Sequence, residues 1–102
     1  MLARVARYEV SSDRIDDAVD AFGSAAKEIQ ALEGFVGGYL LVDHEDGRTM
    51  TVTIWDNQQA LDASEGQARS ARSRAADAVG GSVLSVESFE VAQELAATRG
   101  GV

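Results

Sequence analysis

Cysteine is absent from this chain, which removes disulfides, thiol nucleophiles and thiolate metal sites at once. Proline is absent too, so no rigid linker or hinge is written into it. The single histidine, His44, falls in Asp43-His44-Glu45-Asp46-Gly47, which reads as an exposed hairpin tip and not as the cleft a general base needs. Those acidic neighbours also lack the spacing of a calcium loop, so no metal is expected. Basic residues are scarce. Nine against 17 acidic residues leave a net charge of -8, which phosphate backbones would repel, so nucleic acid is not an expected partner. No run approaches the roughly 18 apolar residues of a membrane span. The opening Met1-Leu2-Ala3-Arg4-Val5-Ala6-Arg7 is too interrupted by charge for a signal-peptide core. A soluble cytoplasmic protein is the expectation.

What is present is a chain of 102 residues, 45% hydrophobic, enough for one domain with a core. Its organising stretch is Arg48-Thr49-Met50-Thr51-Val52-Thr53-Ile54-Trp55-Asp56-Asn57. Met50, Val52 and Ile54 fall on one side of a period-2 strand, and Thr49, Thr51, Thr53 and Trp55 on the other. Asp56 or Asn57 then offers an oxygen to cap a helix opening at Gln58. The only tryptophan therefore sits where a strand hands over to a helix, a common place for a pocket wall.

Residues 4–10 read as a first strand, with Val5 facing one way and Ala6, Tyr8 and Val10 the other. Ser11-Ser12-Asp13 supplies an N-cap. Ile15, Val19, Phe22, Ala26, Ile29 and Leu32 then form an amphipathic stripe, which Gly34 stops as a left-handed C′ residue. In the second strand, Phe35, Tyr39 and Leu41 point one way and Val36, Leu40 and Val42 the other; both faces need cover. The Asp-Gly pair at 46–47 turns this strand into the Trp55 strand. A second helix runs to about Val79, with a candidate break at Ser64-Glu65-Gly66. Its inward positions, Ala60, Leu61, Ala68, Ala71, Ala75 and Val79, are mostly small, which allows either close approach to the sheet or a cavity beneath it. Gly80-Gly81 ends this helix and residues 82–91 make a fourth strand. The order is β-α-β-β-α-β, an α+β ferredoxin-like domain over residues 1–95 with a four-stranded antiparallel sheet, and a tail at 96–102 expected to fray. Two helices cover one face of the sheet. The apolar reverse of the second strand then implies a second copy, a homodimer.

Leu32-Glu33-Gly34-Phe35-Val36-Gly37, together with Thr53-Ile54-Trp55-Asp56-Asn57-Gln58-Gln59-Ala60-Leu61 and this element order, resembles the antibiotic biosynthesis monooxygenase family of dimeric α+β barrels. The resemblance spans residues 2–91. It implies oxidation of a small quinol-like aromatic compound by dioxygen, without a metal or flavin cofactor. Of the residues the quinol-oxidising branch uses, the tryptophan is matched by Trp55, while Thr51 stands at the asparagine position and Leu61 at the tyrosine position. The haem-degrading branch is matched less well, since residues 58–79 hold no histidine or tryptophan and the first strand no asparagine. On this resemblance Trp55 would stack on the substrate, while Tyr8, Thr51 and Asn57 would hydrogen bond to it. A non-catalytic, dimeric small-molecule-binding module of the same fold is the alternative.

Each candidate also has a plain structural reading. Trp55 could anchor helix to sheet, and Tyr8 and Tyr39 could simply pack their rings. Arg4 and Arg7 on the first strand must be paired if buried, Arg7 with Glu9 or Glu87. Arg69 and Arg72 share a helix face, where they either attract an anionic substrate or pair with Glu65 or Asp77.

Overall fold

A computed structural model describes residues 1–97. In strand β1 (Leu2–Glu9) burial follows the two-residue period of the pleat, with Arg4, Ala6 and Tyr8 buried and Arg7 and Glu9 exposed. Helix α1 (Ile15–Gln30) follows, then strands β2 (Phe35–Asp43) and β3 (Arg48–Trp55), helix α2 (Gln58–Ala78) and strand β4 (Ser82–Glu90). The sheet order is β2-β3-β1-β4, with every neighbouring pair antiparallel. This is the expected α+β ferredoxin-like architecture, in which two split β-α-β units interleave and both helices lie on one face.

Register fixes which side chains share a face. Arg4 pairs Thr53, Ala6 pairs Thr51 and Tyr8 pairs Thr49, so these residues all look toward the helices. There Ala6, Tyr8 and Val10 pack with Ile15, Ala18 and Phe22 of α1 and with Ala75, Ala76 and Val79 at the end of α2. Val5 pairs Val52, which in turn pairs Tyr39, and these look away from the helices. That open face also carries Met50 opposite Leu41, and Phe89 beside Ala3. Leu41 and Phe89 are about half exposed and Tyr39 more so.

Several local expectations are corrected. A 3-10 turn, Ser12–Arg14, precedes α1, and no side chain caps that helix. Its buried line runs Ile15, Ala18, Phe22, while Val19 is exposed, because the small Ala18 lets the helix sit closer to the sheet with that line inward. The helix ends at Gln30, with Ala31 as C-cap, before Gly34 is reached. Gly34 is nonetheless left-handed, at φ 83°, and its carbonyl accepts from the Asp56 amide. A β-carbon there would lie 2.3 Å from the Ala60 Cβ, so glycine lets the α1–β2 turn nest under the start of α2. A register shift between Phe35 and Gly37 turns Phe35 onto the helix face beside Trp55, away from Tyr39 and Leu41. Finally, α2 runs unbroken through Gly66, which is exposed and costs the helix only about 1 kcal/mol relative to alanine. Beyond Glu90, residues 91–97 form no regular element; the rest of the tail expected to fray lies outside the described residues.

Candidate functional site

The small residues of α2 do two different things along its length. Ala75 and Ala76 close onto Tyr8 and Phe22 in the core, whereas Ala68 and Ala71 leave a cavity of about 470 Å³ between helices and sheet. That volume is in the range of small-ligand sites, roughly 300–1,000 Å³. Phe22, Ala25, Ala26 and Ile29 of α1 form one apolar wall, with Phe35 and Leu40 of β2 continuing it. Tyr8, Thr51 and Thr53 supply hydroxyls from the sheet, and Arg4 and Arg72 supply positive charge. The exposed lining residues Gly23, Gln30 and Tyr39 place the mouth between α1 and the β2 edge.

Tyr8 and Thr51 are brought together. The Tyr8 hydroxyl and Thr51 Oγ1 are 3.0 Å apart, and the Tyr8 ring packs against Phe22 with centroids 4.4 Å apart. Burial pushes the Tyr8 phenol above its ordinary value, against the opposing pull of the Thr51 hydrogen bond and of Arg72 and Arg4. The hydroxyl therefore stays protonated at neutral pH, fitted to donate or accept a hydrogen bond rather than to act as a base.

Trp55 is not at the cavity surface. It is fully buried, meets Phe35 edge to face at 5.4 Å, and donates from Nε1 to Thr53 Oγ1 at 2.9 Å. The Arg4 guanidinium carbon lies 5.5 Å from its ring centroid, a cation–π arrangement. Trp55 thus stands behind the wall, holding two residues, Thr53 and Arg4, that do line the cavity. Asn57 is elsewhere again. Its side chain accepts from the Ala60 amide at 2.8 Å as the N-cap of α2, and it is not among the cavity residues.

Arg4 is the site residue that sequence reasoning left in doubt. Its side chain is only 4% exposed, and it donates to Ser64 Oγ at 3.1 Å and to the Leu61 carbonyl at 2.9 Å while pairing with Glu65 at 3.0 Å. Desolvation lowers its pKa, with Glu65 opposing. The signal was available: Arg4 shares the period-2 face of Ala6, Tyr8 and Val10, and a charge on an apolar face is either paired or functional. Glu65 also receives Arg72 at 3.2 Å and the exposed Arg69 at 3.5 Å. Arg7 pairs with Glu87 on the open face. His44 is exposed in the hairpin, 3.6 Å from Asp16 and remote from the cavity.

Among known proteins, residues 1–76 match the family described as antibiotic biosynthesis monooxygenase. The chain belongs to that family. Two uncharacterized Mycobacterium tuberculosis proteins are 36% identical over 64 residues, which is 63% of this chain but 28% of theirs, so this chain corresponds to less than a third of their length. Solved structures share the fold at low identity. A candidate antibiotic biosynthesis monooxygenase from Deinococcus radiodurans superposes with a TM-score of 0.76 at 14% identity, covering 96% of this chain and 99% of that one. SnoaB, a cofactor-independent oxygenase from Streptomyces nogalater, gives 0.65 at 17% identity, covering 92% and 95%. A mutant of MhuD, solved with two manganese protoporphyrin IX molecules per active site, gives 0.72 at 24% identity, covering 95% and 100%.

Proposed function

We propose that this protein is a monooxygenase that binds a small aromatic, quinol-like compound in the cavity beside Tyr8 and lets it react with dioxygen. The observation that carries this reading is the hydroxyl pair of Tyr8 and Thr51 set in an otherwise apolar, ligand-sized cavity. Family membership and the likeness in fold to a cofactor-independent oxygenase support it. In such a reaction the bound quinol loses a proton to water, and the resulting electron-rich anion reduces dioxygen itself, one oxygen atom entering the ring and the other leaving as water. The protein's part is orientation and stabilisation of the developing oxyanion. The apolar wall of Phe22, Ile29 and Phe35 aligns the ring, while Tyr8 donates toward its oxygen and Thr51 fixes the Tyr8 rotor. Trp55 acts from behind, by keeping Thr53 and Arg4 in place. Asn57, engaged in capping, serves the helix rather than the substrate.

Oxygen uptake with 1,4-naphthalenediol tests this. The expected result is catalysed uptake above the buffer rate, reduced by about 10²-fold in a folded Tyr8→Phe variant. No uptake above buffer across a broad quinol panel would refute the oxygenase reading and leave the binding module. The second reading has its own support, since Leu61, at the position where the quinol-oxidising branch carries tyrosine, is buried in the core and offers the cavity no hydroxyl.

The open face of the sheet belongs to the same proposal. Val5, Met50, Val52 and Leu41 form an apolar surface with Tyr39 at its edge, and a second copy laid across it would remove that surface from water. The working unit is then a homodimer with one cavity per protomer.

A further inference from the structure

The charge inside the cavity does not balance. Two guanidinium groups line it, Arg4 and Arg72, with side chains only 4% and 11% exposed. One carboxylate, Glu65, faces both, and it is 37% exposed and shared with the solvent-facing Arg69. Asp62 adds a weaker attraction on Arg4, from an exposed position. The result is an excess positive charge at the cavity floor of a chain whose net charge is -8. Donors are also left over. The buried Arg4 Nε has no partner among the described residues, and the hydrogen bonding of Arg72 there is confined to Glu65. A guanidinium carries five N–H groups, so Arg72 keeps most of its fork free. Desolvating a cation without full pairing is costly, and a bound anion would offset that cost in the folded, loaded state.

The same cavity is lined by the apolar side chains of Phe22, Ile29 and Phe35. A ligand that satisfies both the cations and this lining has a flat hydrophobic body and an acidic oxygen. We propose that the cavity takes its aromatic ligand as an oxyanion, an aromatic carboxylate or an ionised phenol, with Arg72 contacting the anionic group and Arg4 as the fixed charge behind it. This deepens the reading above and rests on the cavity holding an aromatic compound at all.

Calorimetric titration at pH 7 with four probes tests it: 1-hydroxy-2-naphthoate, its neutral methyl ester, 1-naphthol and 4-nitro-1-naphthol. The last reports its own ionisation by visible absorbance. Two signatures are expected. The naphthoate binds at least about tenfold more tightly than its ester, and the bound nitronaphthol titrates about one unit below the free compound, the same tenfold preference for the anion. Either signature supports the proposal: the first alone assigns the anion to a carboxylate, the second alone to an ionised phenol. Arg72→Gln lowers naphthoate affinity by at least about tenfold and abolishes the preference over the ester, and Arg72→Lys recovers part of it. The exposed Arg74→Gln changes neither. Arg4→Gln is a secondary variant, because a buried arginine with three partners can be required for folding. Equal binding of naphthoate and ester, with no shift in the nitronaphthol titration, overturns the oxyanion while the aromatic cavity stands. A preference that survives in folded Arg72→Gln and Arg72→Lys alike removes Arg72 from the role. Failure of all four probes to bind overturns the aromatic cavity, and this inference with it.

Discussion

Replacing Trp55 separates a residue that holds the cavity from one that touches its contents. The side chain is fully buried, so Trp55→Ala deletes a whole indole from the sheet–helix junction, at a cost of about 3–5 kcal/mol. Against a total stability of about 5–15 kcal/mol for a domain this size, that variant keeps from almost none to about 12 kcal/mol, so a loss of binding in it does not separate unfolding from a lost contact. Trp55→Phe is the informative one. It keeps most of the ring against Phe35 and a weaker face for Arg4, but loses the Nε1 hydrogen bond to Thr53 and some volume. Together these cost about 1–3 kcal/mol. At about 4–8 °C per kcal/mol, melting falls by about 4–24 °C. Guanidinium chloride unfolding followed by far-UV circular dichroism reads the stability, with an unchanged slope as the sign that the fold is kept. Titration with 1-naphthol on the same sample reads the cavity, and affinity within about threefold of wild type is expected, a difference of under 1 kcal/mol. A Trp55→Phe protein of nearly wild-type stability that binds 1-naphthol tenfold more weakly would show that the indole contacts the ligand, and would refute its placement behind the wall.

Three further outcomes follow from the same coordinates. Gly34→Ala combines a left-handed backbone with a 2.3 Å approach to the Ala60 Cβ and should cost about 2–4 kcal/mol; adding Ala60→Gly should recover the clash but not the strain, as a double-mutant cycle would show. The Asp43 carboxyl is held below its ordinary value by Arg48 and by the Asp46 and Glu45 amides. A depressed carboxylate contributes stability that is present above its unfolded pKa and lost as pH falls through the folded one, so the deficit of Asp43→Asn should be constant near neutrality and vanish at acid pH in urea melts. Val52→Glu places a charge at the middle of the open face and should convert a dimer to monomer in sedimentation velocity while leaving the melting transition cooperative; a wild-type protein that is already monomeric when dilute would remove the dimer.

The element order was legible because each element carries its own period. Tyr8, Val10 and Ala6 alternate with exposed residues, and Ile15 to Ile29 recur at helical spacing, so strand and helix were readable without tertiary information. The errors lie where tertiary contacts decide. A single inserted residue at the β2 bulge moves Phe35 to the other face, which alternation alone cannot register. Ala18 and Val19 flank the Ile15–Phe22 line on opposite sides of the helix, and only the way the helix packs on the sheet selects which of them turns inward. Depth is the other gap. Trp55 and Thr51 share a strand face, yet the first is fully buried outside the cavity lining and the second lines the cavity. Asn57 could serve as cap or ligand from sequence, and the α2 N-terminus uses it as a cap. Arg4 was underestimated because an arginine on a strand is usually at the surface, and its pairing with Ser64 and Glu65 bridges some sixty residues of chain.

Whether the space between helices and sheet receives an aromatic guest can be read from amide chemical shifts of ¹⁵N-labelled protein titrated with 1-naphthol. Saturable shifts are expected at Gly23, Gly37, Gly38, Ala68 and Ala71, which line the cavity, with Val5 and Met50 on the open face unmoved. Shifts confined to the open face, or none up to the solubility limit of the probe, would contradict the assignment of this cavity as the binding site.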